Sequence, residues 1–372
     1  MTRAGNRLLS LDVFRGATVA AMVLVNNPGT WDAVYPPLRH ADWHGWTPTD
    51  LVFPFFLFVV GVAIPLALGP RLARGEARAA LLGRIARRAA VIFALGLFLH
   101  AFPTFDFATI RIPGVLQRIA VCYLVTAALF VTTSWRVQAG AAATALLAYW
   151  TAMTLVPVPG FAAGDLSKEG NLAAFIDRAV LGPHIWRVGR VYDPEGLLST
   201  IPAVATTLAG LLSGQWLRAA RDPRRVALGF AAAGALATGA GLLWGVWFPI
   251  NKPLWTSSYA VFTAGLALLA LAACHWVVEV SGWRGWTPPF VAFGVNALAL
   301  FFLSTLVARI LVVVRVPVDG GRSVALQAVV FEHVFASWAS PVNASLAFAL
   351  ATVLVWLALM WILYRRDIRL TV

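Results

Sequence analysis

Ten stretches of roughly twenty predominantly apolar residues recur along this chain, each the length an α-helix needs to cross about 30 Å of hydrocarbon. They fall near 9–27, 50–69, 89–107, 114–133, 139–157, 196–217, 226–248, 258–279, 289–312 and 344–364. Hydrocarbon cannot satisfy backbone N–H and C=O groups, so a chain of this kind forms either helices that bond within themselves or a closed β-barrel. A barrel shows short segments of alternating polarity, whereas these runs are continuous. Composition points the same way, with 60% hydrophobic residues and only 12% charged, about half the charged share of a soluble domain. The predicted class is all-α: a polytopic integral membrane bundle of ten helices forming one domain over 1–372. The region around 312–336 has room for a further interfacial or re-entrant piece.

The formal charge of +13 is carried by arginines in short clusters between the apolar runs, the pattern of the positive-inside rule rather than of a nucleic-acid surface. No nucleic-acid partner is expected. Arg3, Arg7, Arg71, Arg74, Arg78, Arg84, Arg87, Arg88, Arg136, Arg218, Arg221, Arg224, Arg225, Arg284, Arg365, Arg366 and Arg369 fall on one side of the ten-span topology. Most acids fall on the other, among them Asp32, Asp42, Asp50, Asp106, Asp165, Glu169, Asp177, Asp193 and Glu195. Both termini are therefore predicted cytoplasmic, and the long loops near 28–49, 158–195 and 312–343 external. Met1–Arg7 is short and basic with no small-residue cleavage site after it, so the first helix is expected to be retained. Cys122 and Cys274 both lie inside apolar runs without metal-ligand spacing, and neither a disulfide framework nor a metal is expected.

Polar residues concentrate between the first two helices, in Val25-Asn26-Asn27-Pro28-Gly29 and again from Leu38 to Pro54. Polar groups this dense beside a bilayer are costly and point to a task. Thr47, Pro48 and Asp50 are a helix start: a hydroxyl N-cap, a proline at the first helical position and an acid in the first turn. That alone accounts for much of Asp50. His40 lies outside the cap, and its imidazole suits proton transfer or acyl acceptance near neutral pH, with Asp42 and Asp50 as orienting carboxylates. His40 and His44 have no clear third ligand, which leaves zinc the weaker alternative.

Other polar groups have a bland and a sharper reading. Asp12 and Arg15 share a helix face, as an ion pair or with Arg15 turned to a phosphate. Gln117 and Arg118 lie one turn inside the helix that follows Pro113, where an arginine either snorkels or faces the bundle interior. Asp193 and Glu195 stand where capping explains part of them. Asn251-Lys252 precedes another helix, and Asn296 sits deep in an apolar run as candidate interhelical glue. His100, His184, His275 and His333 are individually read as incidental.

Taken together, Ser10-Leu11-Asp12-Val13-Phe14-Arg15-Gly16, Val25-Asn26, His40 to Thr47, Asp50 to Pro54, Arg111 to Arg118, Asp193 to Gly196 and Asn251-Lys252 resemble the heparan-alpha-glucosaminide N-acetyltransferase family of transmembrane acyltransferases. The resemblance implies transfer of acetyl from cytosolic acetyl-CoA to an amino sugar or glycan across the membrane, in a bacterial inner membrane. The family's catalytic histidine falls on His40 and its accompanying asparagine on Asn26, with Asp50 as a third catalytic candidate. Arg15, Arg111, Gln117 and Arg118 are the cofactor-binding candidates, and Asp42, Trp43, His44, Glu195 and Lys252 those for the acceptor. Assembly is left between a single copy and a homodimer in the lipid bilayer. The alternatives are a transporter of a sugar or related metabolite, whose permeation route the same residues would line, and a structural or assembly membrane protein.

Overall fold

The structure, a computed structural model, describes residues 8–188, 190–220, 222–318 and 322–370. Arg3, Arg7 and Arg221, which enter the charge argument, lie outside them. In chain order the elements are α1 (Leu9–Asn26), α2 (Val52–Ala73), α3 (Arg78–Ala101), α4 (Val115–Thr132), α5 (Trp135–Leu155), α6 (Leu172–Leu181), α7 (Thr200–Ala219), α8 (Pro223–Trp244), α9 (Ser257–His275), α10 (Pro288–Val295), α11 (Ala297–Val313), β1 (Arg315–Val318), β2 (Arg322–Ala325), α12 (Leu326–Val330) and α13 (Pro341–Arg365).

Every predicted span has a helix beneath it. Six helical stretches are long and apolar enough to cross a bilayer, and the bent pair α10–α11 makes seven. The remaining three, α3, α5 and α7, have 24, 21 and 20 residues. They are less apolar because α3 begins with Arg78, Arg84, Arg87 and Arg88, while Ala, Gly, Thr and Gln dilute α5 and α7.

Two departures from the sequence expectation concern breaks. The run predicted as one helix over 289–312 bends by 79° between Val295 and Ala297. At the bend, Asn296 turns its amide to the C-terminal tail, donating to Ile368 O and accepting from Leu370 N. Its side chain is glue, as expected of a buried asparagine, but it holds the tail after α13 rather than another helix. The region 312–336 holds an antiparallel hairpin pairing Val316 with Val324, then α12 and a π-helical turn over Phe331–Ala336.

Contacts divide the chain into two compact units, the first within Met1–Ala41, Thr47–Val52 and Val277–Thr371, the second Asp42–Trp46 and Phe53–Trp276. In the first, α1 packs on α10, α11 and α13. A Cβ at Gly16 would overlap the Phe290 carbonyl, so the α1–α10 approach requires glycine. In the second, α3 packs on α4, α4 and α5 on α7, and α8 on α9. Backbones of α2 and α7 meet where a Cβ at Gly61 would overlap Thr207 O, the small-residue contact that lets membrane helices associate through close packing.

Candidate active site

In the first unit the chain leaves α1 at Asn26, makes a 3₁₀ turn at Pro36–Leu38 and another at Pro48–Leu51, and runs into α2. Thr47 is extended, with φ −127° and ψ 168°, and Pro48 takes the first helical position, as the sequence predicts. Asp50 is 1% exposed, and its two oxygens do different work. Oδ2 accepts from the Thr47 and Ala41 backbone N–H groups, both at 3.0 Å, and lies 3.1 Å from the Thr47 hydroxyl oxygen. Oδ1 lies 2.7 Å from His40 Nδ1, while the His40 ring remains 46% exposed. With two backbone N–H donors already on Oδ2, Oδ1 is left to accept a hydrogen bond from His40 Nδ1–H. His40 then presents an unprotonated Nε2, the geometry of an oriented general base or nucleophile. Thr47 Oγ1 also donates to Arg39 O at 2.6 Å, and Arg39 Nε to Val34 O at 2.8 Å, pinning the backbone next to His40.

In the second unit, residues 42–46 are fastened to the segment before α9. Gly45 N donates to Ile250 O at 2.8 Å, and Asn251 Nδ2 donates to Trp43 O at 2.9 Å and lies 3.3 Å from His44 Nδ1. Gly45 takes φ +96°, which a side chain would resist. Trp43 donates its indole N–H to Leu166 O at 2.8 Å, meets Tyr192 edge-on at 4.9 Å and carries Lys168 Nζ 5.7 Å above its ring. Trp46 lies 5.0 Å from the Phe262 ring.

A charged cluster forms where α4 and α7 begin. Arg111 grips Asp193 through two bonds, Nε–Oδ2 at 2.9 Å and Nη2–Oδ1 at 2.6 Å, and reaches Glu195 Oε2 at 2.5 Å. Burial opposes the charge on Arg111, but Glu195 and Asp193 outweigh it and raise its pKa. Arg118, 2% exposed, donates through Nη2 to Gly196 O and Ser199 Oγ, and its guanidinium lies 5.2 Å from the Trp255 ring centre. Its Nε and Nη1 have no hydrogen-bond partner among the described residues. It faces the interior, the sharper of its two sequence readings. Trp255 takes φ +49°, a strained value for an aromatic residue.

Asp177, on α6, accepts from Leu197 N at 2.9 Å and is pushed up to about 6 by burial, with nearby Asp193 adding to the shift. A folded-state pKa above the ordinary carboxylate value means that the group's contribution to stability is complete below about pH 4 and is lost as pH rises through about 6. The shift corresponds to roughly 3 kcal/mol. Asp177→Asn keeps the acceptor for Leu197, so its melting temperature relative to wild type is expected to rise between pH 5 and pH 8. Parallel melting curves across that range would contradict this account.

The structure therefore brings His40 to Asp50, Trp43 and His44 to Asn251, and Arg111 to Glu195. Asn26 is the exposed last residue of α1, and Asp42 is exposed. Arg15 pairs with Asp12 at 2.6 Å, the ion-pair reading. Gln117 Nε2 lies 3.4 Å from His100 Nδ1, and Lys252 is half-buried. His100 and His184 bond the Arg111 and Ile110 carbonyls at 2.8 and 2.7 Å, which gives them a bracing task. Sequence reasoning missed Asn251 and Asp177 as site neighbours. Asn251 carried a signal, a buried-type amide beside a helix start. Asp177 carried none.

These features define a helical integral membrane protein with an oriented histidine–carboxylate pair between its first two membrane helices. A family signature described as heparan-alpha-glucosaminide N-acetyltransferase, catalytic, matches residues 7–240, and the chain belongs to that family. It is 31% identical to the heparan-alpha-glucosaminide N-acetyltransferase of Mus musculus, over 80% of this chain and 53% of the mouse protein. With that of Homo sapiens it shares 29% identity over 79% of this chain and 52% of the human protein. The chain thus spans about half the length of the curated relatives it matches. His40, Asp50, Arg111, Arg118 and Glu195 lie within the matched region, and Asn251 and Lys252 beyond it.

Proposed function

We propose that this protein is a transmembrane N-acetyltransferase, a single acyltransferase domain over 1–372 that takes acetyl from acetyl-CoA and places it on the amine of an amino sugar. The observation that carries this reading is the His40–Asp50 pair: a half-exposed imidazole bonded through Nδ1, at 2.7 Å, to a carboxylate with 1% exposure. His40 Nε2 removes a proton from the acceptor amine as its nitrogen attacks the thioester carbonyl. The C–S bond breaks, the amide forms, and the CoA thiolate takes up a proton. In the covalent variant Nε2 attacks the thioester first, and the amine then displaces the imidazole from the acetyl carbon. Asn26 is assigned to the carbonyl oxygen as charge develops there.

Arg118 and Gln117 on α4 are assigned to the donor, and the two unpartnered nitrogens of Arg118 suit an anionic or carbonyl oxygen. Arg15 is kept as a phosphate contact. Arg111 and Glu195, gripping each other, are assigned to bracing rather than to ligands. Trp43, His44, Asp42 and Lys252 are assigned to the acceptor. The termini and the arginine-rich connections are placed in the cytoplasm, the loop carrying His40 outside, and the protein in a bacterial inner membrane, as one copy or a homodimer.

The test is acetyl transfer by purified protein in lipid nanodiscs, with labelled acetyl-CoA as donor and glucosamine as acceptor. N-acetylated sugar is the expected product, and acetyl-CoA should raise the melting temperature more than free sugar does. Stabilisation by sugars alone, with no transfer, favours the transporter. Label trapped on wild-type protein but absent from His40→Ala selects the acetyl-histidine route, whereas full turnover without trapped label selects direct attack.

A further inference from the structure

Asn251 lies outside the residues assigned a role above, yet it is fully buried and its amide bonds both the 42–46 loop and the turn before α9. Its Oδ1 accepts from Leu254 N at 2.8 Å, and its backbone N–H donates to Thr256 Oγ1 at 3.1 Å. These partners settle which end of the amide is which. Leu254 N–H is a donor and requires the oxygen, while Trp43 O, 2.9 Å from the other end, is an acceptor and requires the nitrogen. The second hydrogen of that nitrogen faces His44 Nδ1 at 3.3 Å. Nδ1 is therefore an acceptor, and the neutral ring carries its proton on Nε2.

We propose that Asn251 is a positioning residue that fixes His44 as a hydrogen-bond donor through Nε2–H, aimed at a hydroxyl oxygen of the sugar that accepts the acetyl group. The inference rests on the acetyltransferase reading for the identity of that sugar but not for the state of His44. His44 is exposed, and Trp46, 41% exposed and seated on Phe262, supplies an aromatic face from the same short loop. A flat apolar face next to one fixed donor is the combination that orients a polar, ring-shaped ligand. His40 and His44 then differ in kind. The carboxylate behind His40 puts the neutral ring's proton on Nδ1 and its lone pair on Nε2, while the amide behind His44 puts that ring's proton on Nε2, able only to give a hydrogen bond. The charged groups around His44 are Asp42 on its own loop, Lys168 over the Trp43 ring and Lys252 next to Asn251. Burial of the ring lowers its pKa, in keeping with the neutral form.

The test changes the amide to a carboxylate. In Asn251→Asp the new oxygen accepts from Nδ1–H and favours the imidazolium, so the His44 pKa is expected to rise by about one unit. The pH dependence of diethyl pyrocarbonate modification at His44, followed by mass spectrometry of the intact membrane protein, reads this without any substrate. A rise supports the proposal, and an unchanged or lowered midpoint overturns it, whichever reaction the protein catalyses. Should Asn251→Asp fail to fold, His44→Gln and His44→Phe decide. Gln retains a donor near the Nε2 position and is expected to keep the acceptor KM within about threefold, while Phe raises it about tenfold with the acetyl-CoA KM unmoved. Equal acceptor KM values for the two variants overturn the proposal.

Discussion

Alanine in place of His40 is expected to slow acetyl transfer by about 10²- to 10⁴-fold, the usual contribution of a positioned general base, while the protein stays folded. The ring is 46% exposed, and its loss takes one donor from the buried Asp50, so a modest fall in melting temperature of a folded protein is expected. Asp50→Asn tests the geometry more sharply. Two backbone N–H groups converge on Oδ2, so an asparagine must keep its oxygen there and turn its NH₂ toward His40. That forces Nδ1 to accept and moves the imidazole proton to Nε2, removing the base without removing the ring. Asp50→Asn is therefore expected to lose nearly as much activity as His40→Ala. The measurement is the initial rate of label transfer from acetyl-CoA, with melting curves alongside. Turnover within threefold of wild type in His40→Ala would remove the imidazole from the mechanism. Loss in His40→Ala with full activity in Asp50→Asn would keep the imidazole and remove the carboxylate's role in orienting it.

Local rules carried the sequence analysis as far as they apply. Each apolar run but 289–312, which breaks into α10 and α11, holds one helix, the only form that satisfies its backbone in hydrocarbon, and Thr47, Pro48 and Asp50 formed the helix start their side chains specify. His40 stood out because no local rule required it, and Asp50 was in view as its orienting group ten residues away. Apart from α6, the failures are non-local. α6 is a ten-residue helix inside a loop, too short to register as a span, although Asn171 caps it by accepting from Ala174 N and Gly182 ends it at φ +53°. Asn296, at the bend, bonds a tail more than seventy residues later. No pattern in the sequence announces that Arg111 belongs to Asp193 or that Asn251 belongs to Trp43, because each pairing is made only when the second unit packs. Local signals named Trp43 and His44 as polar residues worth keeping, but their support comes from a residue two hundred positions away.

Arg111→Ala is expected to be the most damaging single change to stability. Asp193 has a side chain with no exposure, and that of Glu195 is 10% exposed. Asp193 is further committed to the Trp186 and Glu195 backbone N–H groups at 3.0 and 2.9 Å. Removing the guanidinium leaves two buried carboxylates without their hydrogen-bonded ion pair, a loss of roughly 3–5 kcal/mol for a broken buried pair. Arg118 attracts both carboxylates through space but hydrogen-bonds Gly196 O and Ser199 Oγ, so it replaces the charge of Arg111 without its grip. Lysine restores the charge but cannot grip Asp193 through two parallel bonds while reaching Glu195, so Arg111→Lys should fall between alanine and wild type. Adding Glu195→Gln to Arg111→Ala takes away one of the stranded charges and should recover part of the loss, a coupling that a double-mutant cycle measures directly. Thermal or denaturant unfolding of the purified protein is the readout. A small shift for Arg111→Ala, or strictly additive effects in the cycle, would show that the three side chains do not act as one unit and that α4 is held by its apolar contacts alone.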